Sequence, residues 1–227
     1  MVTAIFPAAG QSKRMQSSTN KNFLEIDDQP ILIHTLLKFS KSDKIEKLIV
    51  AAAVDEVKIV EEMLAEVEGL KPFQIVEGGS ERQYSIANAL KFLPDNCDVV
   101  LVHDAARPLI SVETIEEVIA AARIYGCAIA AVPEKNTIKV IDDDGFVVDT
   151  PPRATLVSVQ TPQGFKRDII VKAYEQAERD NFLGTDDSSL VERLGYKVKI
   201  VKSDYKNIKI TTPEDILIAE AFLRSDH

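Results

Sequence analysis

Four stretches of this chain place groups that could handle a small phosphorylated ligand. The first is FPAAGQSKRMQSSTNK, residues 6–21, which follows an apolar run. After Pro7 its small residues Ala8, Ala9 and Gly10 let backbone N–H groups approach an anion closely. Lys13, Arg14 and Lys21 then bring positive charge. The single glycine excludes both the GxGxxG and the GxxxxGK[ST] loops; on residue types alone a solvated basic turn is an equal alternative. The second is EGGSERQYSI, where a glycine pair closes one element and Ser80 and Gln83 have capping-box spacing for a helix start. Helix N–H groups aimed at a ligand are one reading of Gly79, Ser80, Arg82 and Ser85. A tight turn with Arg82 as a surface charge is the other.

The third stretch is VHDAARP, at the end of an apolar run. Asp104 stands where a buried strand would emerge, three residues before Arg107. A carboxylate at the carboxyl edge of a sheet can hold Mg²⁺ beside a phosphate; a structural ion pair with Arg107 is the alternative. An acid and a base leaving a buried strand together need partners or work. His103 reads as structural rather than as a general base. The fourth stretch is NIKITTPED, with Lys209 between Ile208 and Ile210. Such a lysine either turns into a pocket or protects an edge strand. In TDDSSLVE, Asp186 and Asp187 read as helix capping.

The elements that must position these groups alternate. Val2 to Ala8, Lys47 to Val54, FQIVEG, CDVVLV and CAIAAVP read as strands buried on both faces. Pro30–Phe39, Asp55–Val67, SERQYSIANALKFL and SVETIEEVIAAARIYG read as helices between them. That alternation predicts an α/β fold, a mostly parallel sheet covered by helices on both sides. Ligands then sit at the carboxyl ends of the strands, where three of the charged clusters fall. The segment around Asp144-Gly145 breaks the series with two short β-like runs, and it predicts a projecting hairpin used as an arm or dimer contact. The helical pattern resumes near Arg167 and again after Asp187. A strand at YKVKIV follows, and a last helix has Thr212 as cap, Pro213 first and Asp215 third.

The chain has 227 residues, 45% hydrophobic and 28% charged, which suits one domain of 1–227. A net charge of −9 argues against coating nucleic acid. It leaves room for a local basic cluster on a small anion. No stretch approaches the ~20 apolar residues of a membrane span, and no signal-peptide pattern opens the chain. Cys97 and Cys127 lie in apolar surroundings with no metal-ligand spacing, so free thiols in a reducing cytoplasm are expected.

The motifs PAAG, KRM, GGSERQYSIANAL, VHDAARP, TIKV, QTPQGF, TDDSSLVE and NIKITTPED run in this order across almost the whole chain. In them the sequence closely resembles the 2-C-methyl-D-erythritol 4-phosphate cytidylyltransferases of the non-mevalonate isoprenoid pathway. The resemblance implies a Rossmann-like nucleotidyltransferase core with a protruding β-arm at 136–160, exchanged between the subunits of a homodimer. It also implies CTP with Mg²⁺, and a cytoplasmic enzyme, or a stromal one in a plant-type source. It puts the nucleotide loop on Pro7, Ala8, Ala9 and Gly10, and the reacting-centre cations on Arg14, Lys21 and Lys209. Gly79, Ser80, Arg82 and Ser85 match the cytosine and ribose contacts, and Asp104 the Mg²⁺ ligand. Arg107, Thr137, Arg153, Thr161 and Thr185 match positions around the polyol phosphate, with Arg153 placed to serve the neighbouring subunit. The chain departs from the family pattern at Ser12, Asn20, Asn22, Asn136 and Val157. A CTP:ribitol-5-phosphate cytidylyltransferase is the nearest alternative, and a non-catalytic nucleotide-binding regulator a more distant one.

Overall fold

The computed structural model describes residues 1–10 and 20–225. Arg14, Lys13 and Ser12 lie outside the described residues. The main sheet has seven strands. In chain order these are β1 (Val2–Pro7), β4 (Ile45–Ala52), β5 (Phe73–Glu77), β6 (Val99–Val102), β7 (Cys127–Pro133), β10 (Val157–Lys166) and β11 (Lys199–Lys202). Their spatial order is β11-β7-β10-β6-β1-β4-β5. All neighbours pair in parallel except β10, which runs antiparallel to both β6 and β7. Two small hairpins complete the strands: β2 (Glu25–Ile26) with β3 (Gln29–Pro30), and β8 (Val140–Ile141) with β9 (Val147–Asp149).

Helices cover both faces because the strands are apolar on both. Along β1, Ala4 and Phe6 face one helical layer and Ile5 the other, the period of two that a strand imposes. The first layer is α1 (Ile31–Ser40), α2 (Val57–Ala65) and α4 (Val112–Tyr125). The second is α3 (Arg82–Leu90), α5 (Arg167–Arg179) and α6 (Asp187–Arg193). A smaller cluster of Ile26, Ile31, Ala106, Ile210 and Ala219 docks α7 (Pro213–Ser225) beside the β2–β3 hairpin. Full burial of a side chain such as Phe6 or Phe39 stabilises by about 1.5–3 kcal/mol. Their rings meet edge to face at 4.9 Å.

The α/β fold expected from sequence is the one observed. Ser111 caps α4 by accepting from Thr114 N–H, and Gly126, at φ 90°, ends it. The Asp215 carboxylate accepts from the Thr211 and Thr212 N–H groups, both at 2.8 Å, at the start of α7. Two local expectations are corrected. The Ser80/Gln83 capping box does not form: Glu81 occupies the cap position with no side-chain bond. Gln83 is drawn away to bridge Phe182 O (2.9 Å) and the Gly184 N–H (2.9 Å). Pro30 stands before α1 rather than inside its first turn.

The larger difference is β10. The hairpin around Gly145 (φ 85°) is present as β8–β9 and is exposed throughout. The chain then returns through VSVQTPQGFK and inserts between β6 and β7. Gly164 permits this passage. A Cβ there would lie 2.8 Å from Val118 Cγ1 and 2.9 Å from Leu101 Cδ2, so a side chain would have to displace packed groups of α4 and β6.

Candidate active site

Strands β5, β4, β1 and β6 are parallel neighbours, so their carboxyl ends share one edge, and three of the charged or small-residue stretches leave from it. Pairing continues past the strand ends. Ala8 N–H donates to Ala51 O (2.8 Å), Gly78 N–H to Ala52 O (2.7 Å) and His103 N–H to Ile5 O (2.9 Å). The two small-residue loops touch. A Cβ on Gly78 would stand 2.5 Å from Ala9 Cβ and 3.1 Å from Ala52 O, so glycine is required there. Gly10, by contrast, is exposed, and a Cβ on it meets no described atom within 4 Å. Ser85 is buried; its hydroxyl accepts from Gly79 N–H (3.0 Å) and donates to Glu81 O (3.1 Å). It fixes the glycine loop, while Ser80 beside it is exposed.

Asp104 is the centre of the charge cluster. Its residue surface is 7% exposed. Lys209 Nζ lies 2.9 Å and Arg107 Nε 3.5 Å from Oδ2, and Arg82 Nε donates to Oδ1 at 3.1 Å. Burial alone would raise the Asp104 carboxyl, but Arg82, Lys209 and Arg107 outweigh it and hold the group well below the usual carboxylate range. Arg82 also forms a two-pronged pair with Asp187 (3.0 and 2.8 Å), and the Tyr174 hydroxyl donates to the same carboxylate. Burial works against the Arg82 charge, yet Asp187 and Asp104 raise its pKa further. Asp186, not Asp187, is the helix cap: it accepts from Ser189 N–H in a capping box at the start of α6. The Arg107 guanidinium donates to Asn207 O (2.8 Å), and burial lowers its pKa despite Asp104.

His103 sits behind the cluster, fully buried against Phe6 and Phe39. Burial pushes it down to about 3, so the ring is neutral at physiological pH. Its tautomer follows from its partners. Nε2 faces Arg107 O at 3.1 Å, and a carbonyl can only accept, so Nε2 carries the proton. Nδ1 then accepts from the Thr161 hydroxyl (3.1 Å), and that oxygen accepts from Asp104 N–H (3.0 Å). The relay ties the backbone of Asp104 to that of Arg107, as expected of a structural histidine and not of a base.

The structure therefore brings Asp104, Arg107, Lys209, Arg82 and Thr161 together. Lys21 joins them through the Lys209 segment: its Nζ donates to Ile210 O at 2.9 Å. Four cations, Arg82, Arg107, Lys209 and Lys21, outnumber Asp104 and Asp187 here, a basic cluster on a chain of charge −9. Thr137, Arg153 and Thr185 are exposed. Arg153 donates to Lys135 O (3.0 Å) at the base of the hairpin and makes no described contact with the Asp104 cluster. Asp187, Tyr174, Gln160 and Asn207 did not stand out as site residues. Two successive aspartates at one helix start, where one cap suffices, were the available signal for Asp187.

A family model described as IspD, 2-C-methyl-D-erythritol 4-phosphate cytidylyltransferase, matches residues 2–225. The chain belongs to this family. It is 49% identical over 224 residues to the 2-C-methyl-D-erythritol 4-phosphate cytidylyltransferase of Caldanaerobacter subterraneus subsp. tengcongensis, covering 98% of this chain and 99% of that one. It is 47% identical over 223 residues to the Bacillus cereus protein of the same name, covering 98% of each. The solved 4-diphosphocytidyl-2C-methyl-D-erythritol synthase from Anaerococcus prevotii superposes with a TM-score of 0.88 at 36% identity, over 98% of this chain and 96% of the other. The Thermus thermophilus cytidylyltransferase superposes at 0.79 and 31%, over 98% of each chain. These matches favour the methylerythritol enzymes over both alternatives raised by the sequence.

Asn20 and Asn22, read from the sequence as departures from the cytidylyltransferase pattern, both have partners in the structure. The side-chain amides of Asn20 and Asn22 both donate to Ala8 O, at 3.0 and 3.1 Å. Asn20 also donates to Glu56 Oε2 (2.8 Å) and accepts from Asn22 N–H (3.1 Å). Lys21 is thus pinned to the end of β1 by its two neighbours.

Proposed function

We propose that this chain transfers a cytidylyl group from CTP to 2-C-methyl-D-erythritol 4-phosphate. A phosphate oxygen of the acceptor attacks the α-phosphorus of CTP; the new P–O–P bond forms as the bond to pyrophosphate breaks. The acceptor phosphate has a second pKa near ~6 and is largely dianionic at neutral pH, so no protein base is required. That agrees with a cluster whose histidine is buried, neutral and committed to the Arg107 carbonyl and the Thr161 hydroxyl. The difficulty is the approach of two anions, and the chain meets it with positioned cations. Lys21 and Lys209 face the reacting phosphates, Arg14, outside the described residues, is assigned to the same role, and Arg107 orients the acceptor phosphate. Pro7, Ala8, Ala9, Gly10, Gly79, Ser80 and Arg82 line the nucleotide, with Ser85 holding the glycine turn in shape.

The observation that carries this reading is the gathering of Arg82, Arg107 and Lys209 on one carboxylate at the carboxyl edge of the sheet, with Lys21 on the adjoining carbonyl. Asp104 also suits a Mg²⁺ ion. No group of three or more potential ligands exists among the described residues. Asp104 would hold such an ion through its carboxylate, a hard oxygen donor of the kind Mg²⁺ takes. When bound, the ion supplies charge neutralisation on the triphosphate. Thr137, Thr185 and Arg153 complete the acceptor site, with Thr161 behind it holding the Asp104 backbone; Arg153 acts for a second copy, reached through the arm of residues 136–160. Among the described residues no helix is long and apolar enough to cross a membrane, and a cytoplasmic homodimer acting on small molecules is proposed.

Pyrophosphate release from CTP tests the reading, measured with 2-C-methyl-D-erythritol 4-phosphate and with ribitol 5-phosphate, each with and without Mg²⁺. Release with the methylerythritol substrate in the presence of Mg²⁺ is expected. Exclusive use of ribitol 5-phosphate would overturn the substrate, and silence with both would overturn the activity.

A further inference from the structure

We propose that Asn207 is a positioning residue for this reaction. Its buried side-chain amide and its backbone carbonyl fix the Lys209 segment and the Arg107 guanidinium against β10, and so set where two of the Asp104 cations stand.

Residues 203–212, which carry Lys209, form neither helix nor strand. Something other than a ladder must hold the lysine in register. Asn207 is 1% exposed at the centre of this segment. Its Nδ2 donates twice into β10, to Gln160 Oε1 (2.9 Å) and to Thr161 O (2.9 Å). Its own carbonyl accepts from Arg107 (2.8 Å). Gln160 returns the bridge by donating to Asp204 O (3.1 Å). Thr161 is shared: its carbonyl takes Asn207, while its hydroxyl takes the Asp104 N–H (3.0 Å). One amide therefore registers the Lys209 segment against the same residue that registers Asp104.

The amide is not there for its own satisfaction. Its Oδ1 is buried without a partner among the described residues, a state that disfavours folding. What this side chain contributes here is therefore its two Nδ2 contacts into β10.

The inference rests on the cytidylyl-transfer reading, and two readouts on the full chain separate their failures. The first is kcat. Asn207→Ala is expected to lower kcat at least tenfold with KM for CTP changed less than threefold. In a Lys209→Ala background the same substitution is expected to cause a clearly smaller loss, because the part that acts through Lys209 is already gone and only the part through Arg107 is left. The second needs no activity: labelling of Lys209 by an amine-acetylating reagent, read by mass spectrometry against exposed Lys58. Release of the segment from β10 is expected to raise Lys209 labelling severalfold. An unchanged kcat, an equal loss in the Lys209→Ala background, or unchanged labelling overturns the role. If the unsubstituted chain is inactive, the function fails, while the labelling still decides the positioning. Should Asn207→Ala not fold, Gln160→Met removes one of the two contacts. It is expected to give a several-fold loss of kcat, smaller in the Lys209→Ala background, and a smaller rise in labelling; neither change appearing would overturn the proposal.

Discussion

The Asp104 cluster and the β8–β9 arm sit at opposite extremes of the same chain. At Asp104 every charged group is held by at least one other, and the carboxylate is nearly closed to solvent. In the arm the large apolar side chains are the exposed ones: Val140, Ile141, Phe146, Val147 and Val148. Burying charge is unfavourable unless each group is paired, and exposing an apolar face is unfavourable unless something covers it. The first region has met its condition within one chain. The second has not, and a second copy is what the proposed dimer supplies. The contrast separates what this fold completes alone from what the proposed assembly would complete.

The sharpest way to break the contrast is at its centre. Asp104→Asn keeps the shape and removes the charge, leaving Arg82, Arg107 and Lys209 to repel one another. Breaking a buried pair typically destabilises by about 3–5 kcal/mol; the part-exposed Lys209 and Arg82 place this site at the lower end. Urea unfolding at neutral pH measures it, and an unchanged midpoint would mean that the cluster does not need its carboxylate. Next in size is Lys21→Ala. A cation facing developing charge is comparable to an oxyanion-hole donor, worth about 10²–10³ in turnover. A loss of at least ~100-fold in kcat is expected if Lys21 acts at the reacting phosphates as proposed, with the unfolding midpoint lowered only slightly by loss of the Ile210 contact. Near-normal turnover would remove Lys21 from the chemistry.

The arm should respond in the opposite sense. Phe146→Ser removes a 71% exposed ring, so it should leave the stability of the separate chain unchanged. If that ring is covered in the dimer, its loss weakens association by up to about 1.5–3 kcal/mol per copy, and a symmetric dimer loses two rings, so the dissociation constant rises by roughly a hundredfold or more. Sedimentation at graded concentration reads this directly. A dimer indifferent to Phe146 would place the contact elsewhere.

The same contrast explains what the sequence could and could not disclose. Strands such as VVLV are apolar at every position, so their burial is legible locally. The arm is legible because Asp-Gly between β-like runs is a local signal. The β10 strand was hidden because Gln160, Thr161 and Gln163 are polar and yet buried. They are inside because their partners come from elsewhere in the chain: Asn207 for Gln160, His103 and Asp104 for Thr161, and Asp186 and Ser188 for Gln163. Asp187 was missed for the same reason. Its partner Arg82 lies 105 residues away in sequence, and no spacing rule reaches that far. Residues that leave strand ends were found; residues that hold those residues in place were not. Thr161 came from the family resemblance as a substrate contact, and the structure shows its hydroxyl already engaged behind Asp104.

The gentlest probe of the cluster is pH, and it singles out His103. The folded ring is held down to about 3 by burial, whereas an unfolded histidine titrates near ~6.5. Between those values the unfolded chain binds a proton that the folded chain refuses, so stability falls as pH falls, by up to about 1.4 kcal/mol per pH unit from this one site. Asp104 acts in a separate and lower window: its folded carboxyl is depressed, so its contribution is present above the unfolded value near ~3.9 and is lost only below it. Urea midpoints at pH 7, 6 and 5 therefore isolate His103. His103→Gln keeps a donor and an acceptor without a titrating ring, and it should lower stability at pH 7 while flattening the slope between pH 6.5 and 5. A slope that survives the substitution would assign the acid sensitivity to another group and leave the cluster's buried histidine without a titrating role.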